Sequence, residues 1–264
     1  MSPPLHRFRA STPVASRKRA HELLRLAGEV FGELRAATPK APATNIERHH
    51  GVIDISELAT EVRCLLEHED SGPIHNLTAA VERAGVCLLP IVGLVGIDGL
   101  SSWVNGVPVI GLNPAVPGDR FRLTLAHELG HLVMHWDKSE MTESQANQFA
   151  GCLLFPPADF EAAMPERPQL RDFVKLKSAW GVSVAAMVYR AHDLGHIDDS
   201  RYRALQIQMS KWQKQEPAPF EPTVGALFAR LIEVNGGIAR VAASLGVKLE
   251  HLATLATWRH LRAA

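Results

Sequence analysis

The sequence has no long apolar run. A helix that spans a membrane needs about 20 consecutive apolar residues, and polar or charged residues interrupt every apolar stretch of the 264-residue chain well before that length. The amino terminus, MSPPLHRFRASTPVASRKRAHELL, is basic but lacks the apolar segment of a secretion signal. Neither a transmembrane helix nor a secretory leader is therefore predicted.

Cysteine is scarce as well. The three cysteines, Cys64, Cys87 and Cys152, are widely spaced, form no C-x-x-C pair and lie among apolar neighbours. An odd number of isolated cysteines indicates free thiols in a reducing compartment rather than a disulfide framework. We therefore expect a cytoplasmic protein.

Net charge is absent too, since 28 Lys and Arg balance 28 Asp and Glu. The charges are nevertheless unevenly distributed: residues 1–48 carry nine basic against four acidic side chains, and residues 221–264 carry five against three. Basic ends can contact nucleic acid or an acidic partner, but such charges more often belong to solvated helix faces. Direct DNA binding is thus possible but is not favoured.

The amino-terminal third is predicted to be helical. Apolar residues at helical spacing predict a helix over residues 14–36, followed by a Pro-containing linker. Two further helices are expected, one over about 54–68 and one formed by GPIHNLTAAVERAG, where Gly85 is a natural stop.

A small sheet is predicted to follow. Short apolar runs broken by Gly, Pro and Asn indicate strands at Val86–Leu89, Gly99–Val104 and Val107–Leu112. A helix is then expected over about 119–136, with Asp119 as its cap, and another over Thr142–Leu154.

The remaining chain is predicted to be helical, with two or three helices in residues 168–212, a linker QEPAPFEP and a helical segment over 222–262. The expected fold class is α+β, mostly helical, with a small sheet beside the helix over 119–136. The expected domains are a helical and linker segment (1–48), a central domain (49–216) and a helical carboxy-terminal module (217–264).

The stretch RLTLAHELGHLVMH contains His127, Glu128 and His131 in the order His-Glu-x-x-His. Helix positions four apart share one face, so both imidazoles can bind one ion. Zn²⁺ accepts imidazole nitrogen and carboxylate oxygen, and a catalytic site leaves one position to water. Because the metal lowers the pKa of that water towards about 7, Glu128 is expected to act as the general base. The alternative is a chance match on a core helix, but the preceding strand and the following acidic helix favour the metal site.

A third protein ligand is required, and Glu140, Glu143 and His135 are the nearby candidates. His135 lies one more turn along the helix, and three histidines spread over two turns, about 11 Å, cannot all bind one ion. Glu143 lies in the first turn of the next helix, where its charge also suits the helix dipole without any metal.

The string RLTLAHELGHLVMH followed by ESQANQFAGCLLFP resembles the ImmA/IrrE family of metallo-endopeptidases. The resemblance covers roughly residues 73–216. It implies a zincin-like peptidase fold, a Zn²⁺ cofactor and Glu143 as the third ligand, since Glu143 holds the family's E-x-x-A-N spacing. Asn147, one turn further on, would then hold a ligand histidine by a hydrogen bond.

The expected reaction is hydrolysis of a peptide bond. The family resemblance implies that the substrate is a helix-turn-helix repressor, whose cleavage relieves repression after stress. The strand over Val107–Leu112 could offer an open edge to which an extended peptide adds, or it could be a plain core strand.

The two ends leave alternatives open. HRFRASTPVASRKRAHELLRLAGEV resembles the segment that follows a DNA-binding domain in longer family members, so a separate DNA-binding partner is expected; alternatively, this helix simply packs on the peptidase. GGIARVAASLGVKLEHLATL resembles a helix-turn-helix, with Ala242, Gly246 and Leu252 at core and turn positions. Because Glu250 accompanies Lys248, an accessory module is favoured over a DNA reader. The alternative function is a transcription regulator or sensor with a structural metal site.

Overall fold

The structure is a computed structural model that describes residues 13–49, 54–66, 71–94, 96–134, 142–212 and 216–258. Over these ranges the chain forms twelve α-helices and three β-strands. The helices are α1 (Val14–Ala36), α2 (Ile55–Leu65), α3 (Leu77–Arg83), α4 (Gly118–Met134), α5 (Thr142–Leu154), α6 (Pro157–Ala163), α7 (Leu170–Trp180), α8 (Val184–Asp193), α9 (Asp199–Ser210), α10 (Leu227–Val234), α11 (Ile238–Leu245) and α12 (Leu249–Ala256). The strands are β1 (Cys87–Pro90), β2 (Gly99–Val104) and β3 (Val107–Leu112). The expected α+β fold class, mostly helical with a small sheet, is confirmed.

A tight hairpin joins β2 and β3. Asn105 and Gly106 both have positive φ, 49° and 78°, as a two-residue type I′ turn requires. The turn sets the antiparallel register, in which Val104 pairs with Val107 and Ser101 with Ile110. Both strands begin and end at the predicted residues, because an Asn-Gly pair between apolar runs is a strong local signal.

The strand order is β1-β3-β2, so β3 is the central strand. It pairs in parallel with β1 and antiparallel with β2, and all its residues are buried. The expectation that Val107–Leu112 could offer an open edge to a peptide is therefore wrong, because ladder partners lie on both of its sides. Within the described part of the chain, β2 is an edge strand, and it lies beside α4.

The sheet separates two apolar cores. On one face, β3 contributes Ile110 and Leu112 to a core shared with α2, α4, α5 and α8. On the other face, Val107 and Val109 pack with α1, α10, α11 and α12. Since both faces are covered by helices, the strands carry apolar residues on both faces, which explains their near-continuous apolar sequence.

The helices at the two ends of the chain pack on the same face of the sheet. Phe31 of α1 and Phe228 of α10 meet edge to face, with ring centroids 5.8 Å apart. The carboxylate of Glu82, in α3, accepts hydrogen bonds from the amides of Ala226 and Leu227, both at 2.8 Å, at the start of α10. The amino-terminal helix thus packs on the central fold. The boundaries at 48/49 and 216/217 stay predictions.

An ion cluster anchors the start of α4. Asp119 lies inside the first helical turn rather than before it, and its Oδ2 accepts a 2.6 Å hydrogen bond from Lys177 Nζ. Lys177 Nζ also donates to Glu216 Oε2 at 3.0 Å, and Glu216 accepts from the amides of Val184 and Ala185. Burial alone would lower the pKa of Lys177, but the two carboxylates raise it above its usual value. The ammonium therefore stays charged in the core.

Among the described residues, none of the helices combines the length and the apolar character that crossing a membrane requires.

Candidate metal and active site

Two histidines of α4 face each other near the middle of the fold. His127 and His131 are one helical turn apart, and their Nε2 atoms lie 3.1 Å from each other. Both residues are buried, with exposed fractions of 6% and 1%. The i, i+4 spacing and the apolar packing of Leu125, Leu129 and Leu132 fix this orientation, because they direct the opposite faces of the helix into the core.

The neighbouring helix α5 adds a carboxylate. Glu143, in its first turn, places Oε2 3.5 Å from His127 Nε2 and Oε1 3.5 Å from His131 Nε2. The possible ligand atoms of the three residues all lie within 4.8 Å of one another. The nearby imidazoles of His127 and then His131 hold the pKa of Glu143 well below its usual range, so the carboxylate is ionised.

This donor set fits a tetrahedral cation. Ligand atoms that share an ion at about 2.0–2.1 Å are about 3.3 Å apart, which is close to the 3.1 Å and 3.5 Å separations found here. Glu143 Oε2 is also buried without a hydrogen-bond partner. Because buried polar atoms rarely lack a partner, this oxygen is suited to bind a cation together with the two imidazoles.

Asn147 lies one turn after Glu143 on α5. Its Oδ1 is 3.0 Å from His127 Nδ1, so the amide oxygen can accept the proton of that ring nitrogen. This hydrogen bond leaves the other nitrogen, Nε2, with a lone pair that faces His131 and Glu143. Burial alone would lower the pKa of His127, but the carboxylates of Glu143 and Glu128 together outweigh it and raise the pKa above its usual value.

Glu128 points away from the two histidines towards β2. Ser101 Oγ donates a 2.7 Å hydrogen bond to Glu128 Oε2, and both residues are 1% exposed. Burial raises the pKa of Glu128, although the nearby His131 and His127 rings and the Ser101 hydroxyl oppose this. A carboxyl group with a raised pKa is a better proton acceptor than an ordinary glutamate, as a general base requires.

Gly99 allows β2 to approach α4 at this point. A Cβ atom on Gly99 would collide with the side chain of Thr124 and lie 3.0 Å from Glu128 Cγ. A larger residue would therefore push the strand away from the helix or displace the Glu128 carboxylate.

An open cleft of about 270 Å³ leads to the site. Its walls include His127, Glu128 and Asn147, together with Gly99 and Thr124. At its rim the Arg120 guanidinium forms an ion pair with Asp98. Glu128 and His127 thus line a cleft that opens to solvent.

The structure brings together His127, His131, Glu143, Glu128 and Asn147, all of which were singled out in the sequence. The other candidates for the third ligand, His135 and Glu140, lie outside the described residues. Sequence reasoning missed Ser101 and Gly99. The sequence offered only a weak signal for them. Gly99 and Ser101 are two positions apart in a predicted strand, so they lie on the same face of β2, which is the face towards α4.

Comparison with known proteins gives one family. Residues 92–192 match the family model Peptidase_M78, the IrrE N-terminal-like domain. The matched span includes β2, β3, α4 and α5, and thus every residue of the site. No curated protein matches the chain. Residues 92–192 are therefore similar to the IrrE N-terminal-like peptidase domain, which agrees with the resemblance to ImmA/IrrE metallopeptidases that the motifs predict.

Proposed function

We propose that the chain is a zinc-dependent endopeptidase in which His127, His131 and Glu143 bind the metal and Glu128 is the general base. The observation that carries this proposal is the convergence of the three possible ligands within 4.8 Å, next to a cleft that Glu128 lines. Nitrogen and carboxylate donors in a compact set suit Zn²⁺ better than the oxygen-preferring Mg²⁺ or Ca²⁺.

A bound Zn²⁺ would supply Lewis acidity, which polarises a substrate carbonyl and makes water easier to deprotonate. The protein's own residues do the rest. Glu128 takes a proton from the attacking water on its carboxylate, while Asn147 holds the His127 ring in one tautomer. The apolar core behind α4 keeps both side chains in place.

The edge of β2 supports binding of an extended peptide. In a two-residue hairpin the residues that flank the turn, here Val104 and Val107, are hydrogen-bonded to each other. Every second residue of β2 before Val104 is also bonded to β3, and the residues between them point their backbone N–H and C=O groups away from β3. These residues are Gly99, Ser101 and Trp103, on the strand that borders the cleft. Pro108, which has no N–H, lies opposite Trp103 and agrees with this alternation. A substrate strand would add at this edge and pass the general base.

The proposed substrate is a helix-turn-helix repressor, and the proposed role is relief of repression after stress in the cytoplasm. The resemblance of the RLTLAHELGHLVMH and ESQANQFAGCLLFP motifs to the family supports this role. None of the thiols of Cys64, Cys87 and Cys152 forms a disulfide, which agrees with a reducing compartment.

The test compares purified wild-type protein with Glu128→Gln, which keeps the side-chain shape but removes the base. Both are incubated with Zn²⁺ and a library of synthetic peptides that includes the sequences of candidate repressors, and products are identified by mass spectrometry. We expect cleavage to fall by a factor of about 10²–10⁴, because general-base catalysis contributes this much.

Metal content and thermal unfolding are measured on the same samples. Glu128→Gln should bind as much zinc as the wild type, because Glu128 is not in the ligand set. Cleavage by Glu128→Gln at the wild-type rate would refute the peptidase proposal. Cleavage of peptides that come only from proteins other than repressors would refute the proposed substrate class alone.

The carboxy-terminal helices carry a second candidate function, that of a DNA-binding regulator. Helices α11 and α12 are joined through Gly246, whose φ of 64° is that of a common helix C-cap, and the turn of a helix-turn-helix often contains such a glycine. The exposed face of α12, however, presents Glu250, His251 and Thr254, which offer little to phosphate groups. A salt-dependent mobility shift of duplex DNA by the full-length protein would support DNA binding, and its loss in Lys248→Glu would locate it.

A further inference from the structure

We infer that Ser101 is a positioning residue for the reaction: its hydroxyl holds the Glu128 carboxylate in the orientation in which it accepts a proton. This inference rests on the proposed peptidase function and adds a residue outside the His-Glu-x-x-His helix to the catalytic apparatus. Ser101 touches the general base, and no contact with the metal-ligand set is needed for its role.

The first support is the geometry of the contact. Ser101 Oγ lies 2.7 Å from Glu128 Oε2. Both side chains are buried, and the two residues are 27 positions apart in the chain. A hydroxyl that donates to an ionised carboxylate forms a strong, charge-assisted hydrogen bond. Because this bond occupies Oε2, it leaves Oε1 as the oxygen that receives the proton.

The second support is the room left for the other oxygen. A Cβ on Gly99 would lie 3.2 Å from Glu128 Oε1, which is tighter than ordinary contact. Glycine at this position therefore keeps space at Oε1, while Ser101 fixes Oε2. The two residues lie two positions apart on β2, so one face of the strand shapes both sides of the carboxylate.

The third support is the attachment of the strand to the helix. Trp103, two positions further along β2, donates from Nε1 to the carbonyl oxygen of Leu132 at 3.0 Å. Gly99, Ser101 and Trp103 thus contact successive turns of α4. Strand β2 thus contacts α4 one turn before and one turn after Glu128, and Ser101 fixes the position of the Glu128 carboxylate relative to the strand.

The test uses the full-length zinc-loaded protein and a peptide that the wild type cuts, taken from the library described above. In Ser101→Ala we expect kcat to fall about tenfold or more and KM to stay within about twofold, because misplaced catalytic groups lower the rate of the chemical step rather than substrate binding. Zinc content should equal that of the wild type. Ser101→Thr keeps the hydroxyl and should recover most of the lost kcat.

Ser102→Ala is the matched control. Ser102 is the next residue of the same strand, is only partly buried and points to the other face of the sheet, so its kcat should match that of the wild type. A crystal structure of zinc-loaded Ser101→Ala gives a second measurement, in which the Glu128 carboxylate should have rotated or shifted.

Wild-type kcat in Ser101→Ala, loss of its zinc, or an unmoved Glu128 carboxylate in its crystal structure would each overturn the inference. These failures are distinct from failure of the proposed function. If Glu128→Gln is inactive while Ser101→Ala is fully active, only the role of Ser101 is refuted. If Glu128→Gln cuts as fast as the wild type, the peptidase proposal itself is refuted.

Discussion

Helix α4 carries two buried polar clusters, one at its start and one two turns later, and they differ in how far their members satisfy one another. At the start, Lys177 binds both Asp119 and Glu216, at 2.6 Å and 3.0 Å. Glu216 also accepts two backbone amides from α8. Every charge in this cluster has an opposite charge or a donor beside it.

In the second cluster the ionic contacts are longer, 3.5 Å from each imidazole to Glu143, and one polar atom lacks a hydrogen-bond partner. The Nε2 atoms of His127 and His131 face each other, and the buried Oε2 of Glu143 accepts no hydrogen bond. A buried carboxylate oxygen without a hydrogen-bond partner costs free energy, so Glu143 Oε2 is unfavourable in a cluster that only stabilises α4. The comparison supports a structural role for the first cluster and the proposed metal-binding role for the second.

Removing a proposed metal ligand should have the largest effect. His131→Ala should lower bound zinc from an equimolar amount to background and abolish peptide cleavage, because two remaining ligands do not hold the ion. Elemental analysis of the purified protein measures this. His192→Ala removes a histidine that pairs with Asp199 on the surface and should retain all of its zinc. Zinc binding by His131→Ala at the wild-type level would contradict the assignment.

Breaking the structural cluster should lower stability without affecting the metal. Lys177→Met leaves Asp119 and Glu216 without their cation, and loss of one partner from a buried ion pair costs about 3–5 kcal/mol. Urea unfolding measures the change. Lys175→Met, on the exposed side of the same helix, should change the free energy of unfolding by no more than about 0.5 kcal/mol. Equal effects of the two substitutions would argue against a structural role for the cluster.

Chelation should then separate the two clusters. At zinc concentrations 100 times the Kd, binding stabilises the folded state by about 2.7 kcal/mol, and EDTA should remove this amount. The same decrease is expected in Lys177→Met, because the clusters share no partner, whereas His131→Ala should not respond. Thermal unfolding with and without EDTA provides the measurement. A loss of the EDTA effect in Lys177→Met would mean that the clusters are coupled.

Glu82 offers a smaller test, since its buried carboxylate accepts hydrogen bonds from the amides of Leu227 and Ala226. Burial raises its pKa above the usual 4.5, although the two amides oppose this. A raised pKa contributes stability that is present below the unfolded pKa and is lost as the pH rises through the folded pKa. Glu82→Gln does not titrate, so the stability advantage of the wild type over this variant should shrink from about pH 4 to pH 7. Urea unfolding across this range measures it, and a constant difference would contradict the expected sign.

The elements that could be predicted from the sequence are those whose signals are local. The bounds of α1, β2, β3 and α5 agree with the predicted ranges, because helical periodicity, the Asn105–Gly106 pair and the proline after Phe155 are all short-range features. Helix α3 is shorter than predicted. It begins only after Asn76, whose side-chain oxygen caps the helix by accepting a hydrogen bond from the amide of Ala79. The spacing of His127 and His131 likewise determined which face they share.

The features that were missed depend on contacts between distant parts of the chain. Strand order cannot be obtained from three short apolar runs, so the sequence left open whether β3 is an edge strand or a core strand, and it did not single out β2 as an edge. The bond between Ser101 and Glu128 joins residues 27 apart, and the Lys177–Asp119 pair joins residues 58 apart. No periodicity relates such positions, since only the packing of the sheet against the helices brings them together.

In the proposed peptidase, the short length of β2 would limit which substrate segments can bind. Its six residues cover about 20 Å at the rise of an extended strand, and the hairpin turn closes one end. A substrate segment in an α-helix cannot pair with the edge of β2, because its backbone N–H and C=O groups are already hydrogen-bonded within the helix. A folded target would first have to melt locally. The choice of substrate would then depend less on amino-acid composition than on how often a particular segment of the substrate protein unfolds locally.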